Sequence, residues 1–144
     1  MGNILHSNTP MTYNTLLTRL YFLLVYADGS VNDKELSTAR QMVRVEGFNE
    51  EEFNAQIKLL KSKDKDGLYA ETMMALKQVS LKDQVRIIAW MCVIANADGF
   101  MDRSEWQLIY KIYHKELNLP LHLIFAVQKE LNRKIWEKPT VIGL

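Results

Sequence analysis

The sequence predicts an all-α protein: a single domain of about seven helices, made of internally duplicated three-helix units. Three observations carry this. Apolar residues recur at three- and four-residue steps through most of the 144 residues, which is the spacing of one helix face. Sustained period-two alternation and Asn-Gly hairpin signals are missing, so nothing reads as a strand. A short pattern occurs twice, as Ala27-Asp28-Gly29-Ser30-Val31-Asn32-Asp33-Lys34-Glu35 and as Ala97-Asp98-Gly99-Phe100-Met101-Asp102-Arg103-Ser104-Glu105, at an offset of 70. At that offset Leu24 falls on Ile94, Leu36 on Trp106, Ala39 on Ile109, Met42 on Ile112, Phe53 on Leu123 and Ile57 on Val127, apolar on apolar throughout.

Thr9-Pro10 marks a first helix start, since threonine accepts free amide hydrogens and proline is tolerated at the first helical position. Leu16, Leu17, Leu20, Leu23, Leu24 and Ala27 form its apolar stripe, and Gly29 ends it. The second helix opens at Asn32, carries Leu36, Ala39, Met42 and Val43, and closes at Gly47. The third opens at Asn49 with Glu52 in capping-box position and buries Phe53, Ile57 and Leu60. The charge-mixed stretch 61–67 reads as a solvated connection, and a short helix over 68–79 joins the two units through Met73, Leu76 and Val79. Ser80 with Asp83 caps a long apolar helix over 81–97. A helix opening at Asp102 then shows Trp106, Ile109, Tyr110 and Tyr113 at core spacing. Pro120 starts the last helix, with Leu121, Ile124, Phe125, Val127 and Leu131 facing inward. The domain so drawn spans 10–136, with one unit over 10–62 and the other over 80–136, and the ends 1–9 and 137–144 are expected to be flexible. A pseudo-twofold between the units would bring both Asp-Gly loops to one side.

Composition narrows the function. The 18 basic and 17 acidic residues leave a formal charge of +1, so no global field draws the chain to nucleic acid or an anionic membrane. Cys92 is the only cysteine and lies in the apolar run 87–95, which predicts a buried thiol in a reducing compartment. The first residues lack the basic and long apolar regions of a secretory signal, and the run 85–97, broken by Arg86 and Asn96, is too short to span a bilayer. A soluble, cytoplasmic protein with no direct membrane span is the expectation.

The repeated stretch divides into two jobs. Gly29 and Gly99 suit helix ends, Asn32 and Asp102 are N-caps, Glu35 and Glu105 stand where capping boxes close, and Val31 and Met101 can staple onto Leu36 and Trp106. Capping leaves Asp28 and Asp98 unexplained, carboxylates at the negative end of a helix dipole where a cation would reverse their cost. Asp, then Asn or Asp four residues on, then Glu seven residues on, is the spacing of the second half of an EF-hand loop. Leu24 and Tyr26, or Ile94 and Asn96, occupy the first ligand positions, so a complete EF-hand is excluded. Two half-loops brought together supply six hard donors: Asp28, Asn32, Glu35, Asp98, Asp102 and Glu105. That set suits a divalent cation such as Ca²⁺, Mg²⁺ or Mn²⁺ rather than zinc or copper. On residue chemistry alone, both a cation site and plain helix connectors remain open.

This paired motif, Ala-Asp-Gly-x-apolar-Asn/Asp-x-x-Glu once in each half of a helical domain, resembles the TerB-like, tellurite-resistance-associated family over roughly residues 12–133. That fold is shared with the N-terminal domain of some membrane-anchored J-domain co-chaperones. The resemblance implies an internally duplicated all-α domain with an acidic metal site carried by Asp28 and Glu35 in one motif and Asp98 and Glu105 in the other. It also implies a part in tellurite and stress-response systems, in company with partner proteins. These residues hold no J-domain, so co-chaperone activity is not implied.

Other sites are poorer candidates. His114 and His122 lack a second ligand at helical spacing, and Lys58, Lys61, Lys63 and Lys65 lie among acids as a solvated face. Trp90, Trp106, Tyr110 and Tyr113 read as core. No phosphate loop or nucleophile-histidine set can be assembled, so binding is expected rather than catalysis. The alternatives are an adaptor for an unidentified protein partner, with the motifs as mere connectors, and a hydrolase or transferase using the acidic cluster.

Overall fold

The computed structural model describes residues 11–26, 31–97, 99 and 102–136. Among these it holds α-helices and one π-helical segment, with no strand. In chain order they are α1 (Tyr13–Val25), α2 (Asp33–Glu46), α3 (Glu50–Leu60), α4 (Lys65–Leu76), α5 (Leu81–Ala95), α6 (Arg103–Tyr110), its π continuation (Lys111–Glu116) and α7 (Leu121–Trp136).

Local chemistry accounts for most boundaries. Asn32, Asn49, Ser80 and Asp102 are N-caps as their side chains dictate, and Gly47 closes α2 at φ 71°, the left-handed conformation glycine adopts without strain. Several boundaries differ from the sequence reading. The start of α1 is set by Thr12, whose hydroxyl accepts from Thr15 N at 3.2 Å, while Thr9 and Pro10 lie outside the described residues. The helices α1 and α5 stop at Val25 and Ala95 rather than at Ala27 and Ala97. Asp64 Oδ2 accepts from Gly67 N at 2.9 Å, so that 65–67, expected to be a connection, form the first turn of α4. The ends 1–9 and 137–144 also lie outside the described residues.

The core is built around α1 and α5. Residues 20–25 of α1 and 87–95 of α5 are buried without interruption, so both helices are enclosed on every side along their second halves. They pack on each other, α1 against α3 and α5 against α7. The second helices reach across: α2 packs on α5, and α6 packs on α1 as well as on α5 of its own unit. That reciprocity is what two units facing each other about an axis would produce.

The two units match closely up to the middle of their second helices. The residues closing α1 and α5, Tyr26 and Asn96, share a backbone conformation (φ −101°, ψ 12° and φ −95°, ψ 11°). Leu36 and Trp106 are 41% and 40% exposed, and Ala39, Met42, Ile109 and Ile112 are all buried. Beyond this the constant offset of 70 fails. A π turn holds one more residue than an α turn, and after Lys111–Glu116 the correspondence moves to 71. Thus Phe48 N bonds to Val43 O where Leu119 N bonds to Tyr113 O, Gly47 has its left-handed counterpart in Asn118 (φ 53°), and Glu50 opens α3 where Leu121 opens α7. Phe53 and Leu60 therefore correspond to the buried Ile124 and Leu131, not to Leu123 and Glu130.

Several side chains expected in the core are on the surface. Leu36, Trp106, Tyr110 and Phe125 are exposed, because their helix faces meet no covering element. Trp90 is fully buried as expected, and burial pushes the Cys92 thiol up to about 12, which keeps it protonated and unreactive.

Candidate functional site

The crossing of the second helices places two carboxylates at the centre of the site. Glu35 stands in the first turn of α2 and Glu105 in the first turn of α6, where the positive end of each helix dipole favours an acid. Both are buried, at 5% and 6% exposure, although glutamate is rarely found inside without a partner. Their carboxyl groups lie within hydrogen-bonding reach of each other. Burial holds Glu105 far above the ordinary glutamate range, and the contact with Glu35, its charge, and the charge of Asp102 push in the same direction.

The first motif is held by a complete capping box. Asn32 Oδ1 accepts from Glu35 N at 2.8 Å, and Glu35 Oε1 accepts from Asn32 N at 3.2 Å, which fixes the Glu35 carboxylate. The second is built differently. Asp102 Oδ2 accepts from Ser104 N at 3.1 Å and from the Ser104 hydroxyl, and these bonds hold Asp102 below the usual carboxylate range. The Asp102 side chain thus bonds Ser104 where Asn32 bonds the Glu35 amide, so the two boxes expected to be equivalent differ at the cap. Of the residues expected to form staples, Val31 packs on the core, Leu36 and Trp106 are partly exposed, and Met101 lies outside the described residues.

The approach to each motif differs in charge. Lys65 Nζ donates to Tyr26 O at 3.0 Å, and Lys61 Nζ sits 5.6 Å from the Tyr26 ring centroid. An ammonium at the end of α1 offsets the negative pole of that helix. At the corresponding end of α5, Asn96 Nδ2 donates to Cys92 O at 3.1 Å, and among the described residues no lysine bonds the Asn96 carbonyl. Gly99, at φ 101°, makes the left-handed turn that follows.

Of the six side chains singled out in the sequence, the structure brings Glu35 and Glu105 together, with Asn32 and Asp102 as the caps of their helices. Asp28, Gly29 and Asp98 lie outside the described residues. Among the described residues no three histidine, cysteine, aspartate or glutamate side chains are grouped as a metal site. His114 and His122 are exposed on separate elements, and Lys58, Lys61, Lys63 and Lys65 are exposed as a solvated face.

Sequence reasoning missed one polar centre. Glu46 Oε1 accepts from Arg86 Nε and Trp90 Nε1, each at 2.6 Å, and from the Tyr13 hydroxyl at 3.2 Å, tying the end of α2 to α5 and α1. The signal was available: an acid in the last turn of a helix, the same anomaly that drew attention to Asp28.

A protein-family model described as "Tellurite resistance protein TerB" matches residues 14–120, which covers both motifs and α1 through the π segment. No curated protein and no solved structure matches the chain.

Proposed function

This chain belongs to the TerB, tellurite-resistance-associated family, and we propose that it acts by binding rather than turnover, as a cytoplasmic stress-response module that holds a divalent cation between its two Asp-Gly motifs and works with a protein partner. The observation that carries the reading is the buried Glu35–Glu105 contact. Two like charges in a poorly solvated site repel unless a proton or a cation is shared between them. Carboxylate and amide oxygens are ligands for Ca²⁺, Mg²⁺ or Mn²⁺. Glu35 and Glu105 would form the central bridge, with Asp28, Asp98, Asp102 and Asn32 completing the shell. No helix among the described residues is long and apolar enough to cross a membrane, which agrees with this placement.

Thermal unfolding of the chelator-stripped chain with each of the three cations tests the reading. An ion at a hundred times its dissociation constant stabilises the folded state by about 2.7 kcal/mol. The stabilisation is expected to vanish in Glu35→Gln/Glu105→Gln and to weaken in Asp28→Asn/Asp98→Asn. An absence of stabilisation in the unmodified chain, or an equal response in the glutamine variant, would overturn the proposal. Without a cation the motifs would be helix connectors, and partner capture undiminished by chelation would then favour an adaptor, a reading that the capping bonds of Asn32 and Asp102 also support.

A further inference from the structure

A cleft of about 150 Å³ opens between α1, α2 and α3. Its apolar lining includes Leu36, Ala39, Val43 and Phe53, and its polar rim is Arg40, Glu50 and Asn54. Apolar space of about this volume accommodates a benzene ring. The second unit shows what the fold accepts in this place. The positions of Leu36, Arg40 and Val43 are taken there by Trp106, Tyr110 and Tyr113, whose rings lie 5.6 to 6.3 Å apart in mutual contact. The positions of Glu50 and Asn54 are taken by Leu121 and Phe125 under the offset that follows the π turn. One unit thus supplies its own aromatic rings along this seam, while the other presents a cleft with hydrogen-bonding groups around it.

The rim sets the charge of the occupant. Arg40 makes no ion pair among the described residues, and Lys61 and Lys65 stand at the Tyr26 end of the same cleft. Glu50 and Asn54 opposite can accept from a backbone amide. We propose that this cleft receives an aromatic side chain from a partner-protein segment that carries an acidic residue beside it. The ring fills the space over Ala39 and Val43, the acid pairs with Arg40, and peptide N–H groups face Glu50 and Asn54. Buried aromatic anchors of this kind dominate the energetics of many interfaces, and a guanidinium recognises a carboxylate with two parallel bonds. The inference stands independently of the cation site.

The test is NMR titration of the isotope-labelled full chain, in chelator, with the peptide Ac-Asp-Phe-Asp-NH2. Saturable shifts are expected at Leu36, Ala39, Val43 and Phe53, with Ac-Asp-Ala-Asp-NH2 and Ac-Lys-Phe-Lys-NH2 each weaker by about tenfold or more. Leu36→Trp, a change to the residue of the second unit at an exposed position, should abolish binding. Arg40→Gln should weaken the acidic peptide about tenfold and leave the lysine peptide unchanged. The absence of saturable shifts at millimolar peptide, equal binding of the alanine peptide, or equal binding of the acidic and basic peptides would overturn the proposal. So would unchanged binding to a Leu36→Trp chain whose amide spectrum shows it folded.

Discussion

The end of α2 and the end of the π segment occupy corresponding places in the two units, and each carries a glutamate that is partnered differently. In the first unit Glu46 gathers Arg86, Trp90 and Tyr13 around one carboxylate oxygen. In the second, Glu116 accepts from the Tyr69 hydroxyl at 2.8 Å and pairs with Lys77 at 3.0 Å, while Leu117 packs on the core and the counterparts of Arg86 and Trp90 are the buried Leu16 and Leu20. One fold therefore ties the glutamate of this joint to Arg86, Trp90 and Tyr13 in one unit and to Tyr69 and Lys77 in the other. The difference shows that the network is one of two solutions rather than a requirement of the architecture, as is common for buried ion pairs.

That comparison can be broken by making the first unit resemble the second. Glu46→Leu alone should cost about 3–5 kcal/mol in urea unfolding, because Arg86 and the Trp90 indole are left without their acceptor. Glu46→Leu with Arg86→Leu should recover at least half of the loss, since only the indole and Tyr13 remain unpaired. Equal destabilisation of the single and double variants would mean that the two joints are not interchangeable.

A second contrast is between the caps beside the two buried glutamates, Asn32 bonding the Glu35 amide and Asp102 bonding Ser104. Glu105 holds its proton to higher pH in the folded chain than in the unfolded one. The folded state then binds more protons between the ordinary glutamate pKa and the raised one, so stability of the cation-free chain should fall as pH rises through that window. Glu105→Gln should remove this slope and raise cation-free stability at pH 8 by about 1 kcal/mol, with no gain at pH 5. Denaturant midpoints across pH give the measurement, and an unchanged slope would show that Glu105 is not the group responsible.

The smallest effects lie in the turns that follow. Gly47→Ala forces a Cβ into the left-handed region and should cost about 1–2 kcal/mol, although the space around it is open. Asn118→Gly should change stability by less than about 0.5 kcal/mol, since asparagine already tolerates that conformation. Thermal unfolding of both variants would sharpen how far the two turns are alike.

Features set by neighbours in the chain were legible from the sequence. The caps at Asn32, Asn49, Ser80 and Asp102 and the stop at Gly47 follow from the reach of one side chain to an amide two or three residues away. Exposure was less legible, because periodicity marks the apolar stripe of a helix and not how much of it a neighbour covers. Leu36, Trp106, Tyr110 and Phe125 lie on apolar faces that no element covers. The π turn was invisible for a related reason: one extra residue leaves an apolar pattern still apolar, and it shows only in backbone hydrogen bonds such as that from Leu117 N to Ile112 O, five residues back. At the site, spacing selected Glu35 and Glu105, but their contact depends on the crossing of α2 and α6, which is a property of packing.

That crossing has a consequence for how the molecule comes apart. In a linear repeat array each module leans only on its neighbours, and parts of the array can melt alone. Here α2 closes the core over α5, α6 packs on both α5 and α1, and α1 and α5 pack on each other, so neither half has a complete interior of its own. A backbone cut between α3 and α4 would yield fragments that gain structure only by finding each other. The intact chain should accordingly unfold in a single cooperative step despite its repeated plan.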